Sequence, residues 1–347
     1  MSDIDTCPVT PDEEEEQAPM DLEDIVSVGS YLTDAPIPHS ELRKKMLGMG
    51  PSVMDISGIK LNQDDAIDEF CASLVDQHFR SDHHSFSFLY CDVGDANIER
   101  LLYNLKLKDK ISMNLSWNKL SDASAGAFGH LLNCPDISAV SNLELSGNYF
   151  SPTGIQRLLS NLREDLTIQK LSIQGNSIGD LGVLHLCESI RDRGLAVHEL
   201  NIEGNQITDR GVLTLCNALS VENCSIKYVN LSNNAVGFLG ARHLANMLQV
   251  NRKLATLDVR HSSLGDIGIG HIAGSLKENS TLKTLNVSDN DIGSAGAKVL
   301  FAALAENNGL ETLQLGRSVG KLSPIGVPGG MAVGEMLKTN KSLTSLE

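Results

Sequence analysis

The chain has 347 residues, 41% of them hydrophobic and 4% aromatic, with a formal net charge of -16. That supplies a core made of Leu, Ile, Val and Ala rather than of rings. The acidity, with no basic stripe in the chain, argues against nucleic acid and anionic membranes as partners.

Residues 1 to about 37 stand apart. The run Asp12–Glu16 is all acidic, and Pro8, Pro11, Pro19, Pro36 and Pro38 interrupt any regular structure. The composition predicts a disordered acidic tail. It has neither the apolar core of a secretory signal nor the Arg-rich character of a transit peptide, and no run of eighteen apolar residues follows, so the expected location is the cytoplasm. Residues 38–50 are expected to form a capping helix. Ser40 would be its N-cap, with Leu42, Met46 and Met49 on one face.

From residue 51 to 347 the chain repeats itself. Val140-Ser-Asn-Leu143-Glu-Leu145-Ser-Gly-Asn148 recurs as Ile168–Asn176, Val197–Asn205, Ile226–Asn234 and Leu282–Asn290. Leu254–Ser262 and Leu310–Ser318 keep the leucines and put Ser in the Asn place, and Asn118 ends an earlier copy. Looser copies run through Met54, Ile56, Ile59 and Leu61, and through Phe86, Phe88, Cys91 and Val93. Between copies, apolar residues fall at helical spacing, as at Val183, Leu186, Cys187 and Ile190, or Ile269, Ile272, Ala273 and Leu276. Each unit is therefore a short strand, a turn and an amphipathic helix. One such unit cannot bury its apolar face alone, whereas a stack of them buries a continuous core.

Several columns follow from the frame. The asparagines are expected to satisfy backbone groups where each strand ends, with Ser262, Ser318 and Cys91 as weaker substitutes. Gly154, Gly182, Gly211, Gly240, Gly268 and Gly296 mark the tight turn into each helix. The seven cysteines are an odd number with no CxxC pair, and Cys187 and Cys216, one repeat apart in equivalent places, read as small buried hydrophobes rather than as a disulfide framework. Gly126 as the first glycine of its helix would bury His130. A frame shifted by the longer preceding loop, which is preferred, puts Phe128, Leu131 and Leu132 in the core. Near the end of the chain the frame slips. Val333 matches Ala297 only if eight residues are inserted within Val319–Gly330, either a binding loop or a tolerated one. The last copy opens at Leu343 and Leu346 and the chain stops on it. Either the sequence is truncated there, or that end dimerises or is covered by a partner.

These residues resemble the ribonuclease-inhibitor class of leucine-rich repeats over about residues 51 to 347. The resemblance implies an α/β solenoid, a horseshoe with a parallel concave β-sheet and convex helices, in about nine repeats plus a partial one. It also implies a protein-binding scaffold rather than an enzyme, with no cofactor. Relatives by architecture imply two alternatives: a regulator of a small GTPase, and an actin- or cytoskeleton-associated cap. Other motifs carry less. Gly293–Lys298 lacks the spacing of a phosphate loop. His78, Asp82, His83 and His84 lack zinc-like spacing and read as a solvated turn.

Side chains between the core leucines of a strand face the concave side. They are small and polar, with acids at Glu144, Glu199, Glu203, Asp258 and Asp289 that favour a partner with a basic surface. Candidate contacts across this face are Glu144, Gln174, Glu203 and Asp258. Trp117, the only tryptophan, and Tyr90 hold equivalent places on adjacent repeats. They are either an exposed hot spot or a pair packed under the N-terminal cap. Tyr228, Arg260 and His261 form a second candidate patch, with Arg317 two repeats on. Arg260 or Arg317 is the arginine that a GTPase regulator would supply.

Overall fold

The computed structural model describes residues 53–75, 85–105, 109–160, 162–163, 166–316 and 325–347. All belong to one compact unit, which runs from Pro36. The acidic tail, the capping helix, the His78–His84 cluster, the side chain of His130, Arg317, Ser318 and residues 319–324 lie outside the described residues.

Strand and helix alternate without exception. The strands are β1 (Val53–Asp55), β2 (Ser85–Ser87), β3 (Asp109–Asn114), β4 (Ile137–Glu144), β5 (Thr167–Ser172), β6 (Ala196–Asn201), β7 (Tyr228–Asn230), β8 (Thr256–Asp258), β9 (Thr284–Asn286), β10 (Thr312–Gln314) and β11 (Ser345–Leu346). The helices between them are α1 (Asp64–Val75), α2 (Asp95–Asn104), α3 (Ala125–Leu132), α4 (Pro152–Ser160), α5 (Gly179–Asp192), α6 (Asp209–Leu219), α7 (Gly237–Val250), α8 (Gly265–Leu276), α9 (Ser294–Glu306) and α10 (Gly326–Leu337). The strands form one open sheet in sequence order, and each pair is parallel. This is a leucine-rich-repeat solenoid. The described residues hold ten strand–helix units and a closing strand, against the nine or so and a partial one expected. The loose copies at Met54 and Phe86 both form full units.

The core is one continuous layer between sheet and helices. Leu143, Leu145, Leu171, Leu200, Val229, Leu257 and Leu285 enter it from the strands. Val183, Leu186, Cys187, Val212, Leu215 and Cys216 enter it from the helices. Phe128, Leu131 and Leu132 are buried, as the shifted frame requires. Burial pushes the Cys187 thiol up to about 12, with Cys224 beside it adding to the rise, and pushes the Cys216 thiol up as well. These are thiols held neutral in an apolar layer.

The asparagine column does what its chemistry allows. Asn148 Nδ2 donates to the Leu145 carbonyl of its own repeat and to the Leu115 carbonyl of the one before, both at 3.0 Å, and its Oδ1 accepts from Leu120 N at 3.1 Å. Asn118, Asn176, Asn234 and Asn290 repeat the arrangement. Each amide thus ties two strand ends together and caps a loop. Ser262 Oγ reaches only the Arg260 carbonyl, at 3.0 Å, and Cys91 Sγ reaches the Ile56 carbonyl at 3.2 Å.

Two further columns complete the stitching. Asn251, Asn279, Asn307 and Asn340 sit where each helix hands over to the next strand. Asn251 Nδ2 donates to Leu219 O at 2.6 Å, while its Oδ1 accepts from Lys253 N and Leu254 N, both at 2.8 Å. Earlier in the chain an arginine does this work. The Arg193 guanidinium donates to Leu159 O and Leu162 O at 2.9 and 2.6 Å. On the opposite edge an aspartate reaches forward to the next repeat. Asp180 accepts from Thr208 N, Thr208 Oγ1 and Gly211 N at 2.8, 2.7 and 3.0 Å.

The helix glycines are required by crowding. A Cβ at Gly211 would lie 2.4 Å from Asp180 Oδ1 and 2.7 Å from Ile207 Cγ2. The same test corrects the frame near the end. A Cβ at Gly329 would lie 2.6 Å from Ile325 Cβ and 3.2 Å from Ala297 Cβ, so Gly329 fills the glycine slot. Thr312 pairs with both Thr284 and Ser345, offsets of 28 and 33 residues. The insertion is therefore five residues long, not eight, and Gly326–Gly330 belong to α10 rather than to a loop.

Candidate binding rim

The floor of the sheet is already bonded to itself. Side chains facing away from the helices pair with the neighbouring repeat. Ser146 Oγ lies 2.8 Å from Ser172 Oγ, Asn201 Nδ2 donates to Gln174 Oε1 at 3.2 Å, and Asn286 Nδ2 donates to Asp258 Oδ2 at 3.0 Å. Glu144 takes the Lys170 ammonium at 2.8 Å. Glu203, expected as an exposed acid, is buried at 8% exposure, and its two oxygens accept from Asn230 Nδ2 and Asn233 Nδ2 at 2.9 and 2.7 Å. Ser172 and Ser232, short polar side chains of the same face, are buried too. Short polar side chains on parallel strands are within reach of one another, and they spend their hydrogen bonds across the ladder.

Tyr228, Glu203, Asp258 and Arg260 are brought together over β6–β8. The Arg260 guanidinium is 3.6 Å from Glu203 Oε2 and 3.8 Å from Asp258 Oδ2, distances of attraction rather than of hydrogen bonding. Burial raises the Asp258 carboxyl above its usual range despite the Arg260 charge, and raises the half-buried Tyr228 phenol. His261 Nε2 stands 3.1 Å from Asp289 Oδ2 one repeat on.

Tyr90 and Trp117 form a separate group on the rim, where the strand gives way to the loop. Their rings stack, with centroids 5.8 Å apart and planes at 18°. Both are half-buried. Their backbones are left-handed, each with φ of 57°. Every repeat from the first to the ninth bends this way just before the asparagine place. The residues are Gly58, Tyr90, Trp117, Gly147, Gly175, Gly204, Asn233, His261 and Asp289. Glycine adopts that conformation freely, whereas a bulky side chain there costs about 1–2 kcal/mol. The Trp117 indole is accommodated because the next residue in the column is Gly147, whose missing Cβ would lie 2.4 Å from the ring.

Beside this stack runs an open groove of about 360 Å³, lined by Lys60, Tyr90, Asp92, Trp117, Lys119, Gly147, Tyr149 and Gly175. Tyr149 is 67% exposed and was not among the residues expected here. It follows Asn148 directly, in the place that Lys119 holds one repeat earlier, and a residue after the asparagine column is the signal that would have found it. Lys119 Nζ is 2.6 Å from Asp92 Oδ1, and Asn62 Nδ2 donates to Asp92 Oδ2 at 2.7 Å. Among the described residues no group of three or more His, Cys, Asp or Glu is placed to hold a metal ion.

Comparison with known proteins agrees with the architecture. Residues 165–187, 197–216 and 278–301 match the family model of the leucine-rich repeat. Among solved structures the chain is similar to the leucine-rich repeat-containing protein LegL7 from Legionella pneumophila, at 17% identity and a TM-score of 0.51, over 89% of this chain and 98% of that one. It is also similar to the tropomodulin C-terminal domain of Caenorhabditis elegans, at 18% identity and a TM-score of 0.37, over 45% of this chain and 92% of that one. For leiomodin-1 actin-binding site 2 the figures are 23% identity and a TM-score of 0.37, over 46% of this chain and 87% of that one. No curated protein matches by sequence.

Proposed function

We propose that this leucine-rich-repeat protein is a protein-binding scaffold that grips its partner at the rim around Tyr90, Trp117 and Tyr149. The observation that carries the reading is the left-handed, stacked aromatic pair. Glycine stands at four of the other places in that column, so nothing among the described residues requires a ring at either position. Strain of this kind, held beside an open groove, is what a recognition site retains. Trp and Tyr are also the residues that dominate binding energy at interfaces.

The floor supports a secondary role. Glu144, Glu203, Asp258 and Asp289 each have a neighbour at hand in Lys170, in Asn230 and Asn233, in Arg260 and Asn286, and in His261. Lys170 and Arg260 offset part of that charge, and the neutral amides of Asn230, Asn233 and Asn286 hold the carboxylates in place by hydrogen bonds. Arg260 is drawn toward two carboxylates of its own chain, which speaks against the supplied arginine of a GTPase regulator.

The test uses Trp117→Gly, a substitution that deletes the ring and places at φ of 57° the residue that tolerates it best. Partners recovered by the wild-type chain should be lost with Trp117→Gly and kept with Glu203→Gln, both folded by circular dichroism. Equal recovery with Trp117→Gly would refute the rim as the binding site.

A further inference from the structure

The groove also indicates the chemistry of its occupant, on the reading that the rim is the binding site. Its walls are uneven. The indole of Trp117 and the exposed ring of Tyr149 supply apolar area, and Lys60 and Lys119 supply positive charge. Asp92 is the single carboxylate in the lining, and it is spent. Its side chain is 12% exposed, with the Lys119 ammonium at 2.6 Å and the Asn62 amide at 2.7 Å. Lys60 has no acidic partner among the described residues. The Trp117 indole lies over Gly147, and beyond it the rim is bare backbone for two successive repeats, at Gly175, which is exposed, and at Gly204. Adjacent strands lie roughly 4.8 Å apart, so the rim from Gly147 to Gly204 spans about 10 Å, the length of about three residues of extended chain.

We infer that the rim groove takes an acidic, extended peptide segment of a partner. An apolar or prolyl residue of that segment lies against Trp117 and Tyr149, a carboxylate reaches Lys60 and Lys119, and the main chain runs over the bare glycines. Charge complementarity commits the occupant. The chain as a whole carries -16, whereas this slot holds two lysines against one carboxylate, and Lys60 is the cation left unmatched there. That contrast fixes where the segment docks as well as how tightly it binds. The absence of side chains at Gly175 and Gly204 lets an extended main chain approach closely, whatever its sequence.

Trp117 is the only tryptophan, so its emission reports on this groove without a label. The full chain is titrated with two degenerate pools of short peptides that share Pro, Leu and Phe content and lack Trp and Tyr. One pool is rich in Asp and Glu, the other in Lys and Arg. The acidic pool should change the Trp117 emission saturably and the basic pool should not. Lys60→Glu with Lys119→Glu should weaken the acidic pool by about tenfold or more. If that double variant loses its fold, Lys60→Glu alone should still weaken binding. An equal response to the basic pool, or no response to the acidic one, overturns the inference. A partner complex that is lost with Trp117→Gly yet survives the lysine reversals at full strength would show that the acidic chemistry is wrong while the rim remains the site. A complex indifferent to both would remove the rim reading with it.

Discussion

An amide at the end of a strand closes bonds on both sides of itself, and its substitutes differ in how many they keep. Asn234 donates to Ile202 O and Leu231 O at 3.0 and 2.9 Å and accepts from Asn205 N and Ile207 N at 2.9 and 3.0 Å. Alanine there leaves these groups buried without partners, and each orphaned group costs about 1–3 kcal/mol. Asn234→Ala is expected to lose about 3 kcal/mol or more by chemical denaturation. Ser262 holds the same place and makes one bond to a carbonyl of its own repeat. Ser262→Asn should therefore gain about 1 kcal/mol, because the longer amide reaches the carbonyl of the preceding repeat. Equal stability of the two Ser262 forms would mean that water already satisfies the groups the serine misses. The aromatic pair is the counter-case at this scale. Trp117 and Tyr90 stand where glycine serves the backbone better, and the binding role proposed for the rim is the reading that gives the two rings a use.

At the scale of elements, the edge opposite the helix-to-strand handover is tied by carboxylates whose charge matters. Asp95, in the first turn of α2, accepts from Ser121 N at 2.8 Å and from the hydroxyls of Ser121 and Ser124 in the next repeat. Burial pushes its carboxyl up, but the bonds from Ser121 and Ser124 outweigh burial and hold it below the usual range. A group whose folded pKa is depressed stabilises above its unfolded pKa and loses that contribution as pH falls through the folded value. Asp95→Asn should therefore be less stable than wild type by a constant margin at neutral pH. The margin should shrink as pH falls below about 4, where the unfolded carboxyl takes up its proton. Denaturation of both chains across that range checks the prediction. A gap unchanged at low pH would mean that the neutral acid bonds to Ser121 and Ser124 as well as the carboxylate does.

The elements themselves were legible in the sequence because each repeat states its own register. Period-2 leucines, helical stripes and the asparagine column all agree on one frame, and the buried residues follow it. What was not legible has physical reasons. Asn251-Arg-Lys-Leu254 and Asn279-Ser-Thr-Leu282 announced the second asparagine column, but only the partners of those amides show that it stitches repeats. Glu203 read as surface because strand alternation predicts direction and not whether a neighbour's side chain covers it, as Asn230 and Asn233 do. The left-handed column was invisible because two aromatics, an asparagine, a histidine and an aspartate hide the glycine pattern. The insertion was overcounted because the glycines of α10 were read as loop residues, when crowding against Ile325 and Ala297 is what calls for Gly329.

For the whole molecule, the stack is a one-dimensional array in which each unit touches its neighbours. Its helices pack on those of adjacent repeats and its strands pair in sequence order. Stability in such an array is a sum of unit and interface contributions, so damage spreads according to how many interfaces a residue serves. Leu215 in α6 is fully buried, with repeats packed on both sides. Met336 in α10 is 1% exposed, yet Val327, Met331 and Leu337 of the same helix are 78%, 69% and 58% exposed. Either residue cut to alanine removes about 2–5 kcal/mol of local packing. The consequences should differ. Leu215→Ala should accelerate hydrogen exchange in α5, α6 and α7 and in the strands between them, because the opened unit uncouples both halves of the array. Met336→Ala should accelerate exchange in α10 and β11 and leave α5 to α7 as protected as in wild type. Exchange followed by mass spectrometry separates the cases. If Met336→Ala raised exchange uniformly along the chain, the array would open as one cooperative body. The rim at Trp117 would then share its stability with the far end instead of drawing it from the repeats beside it.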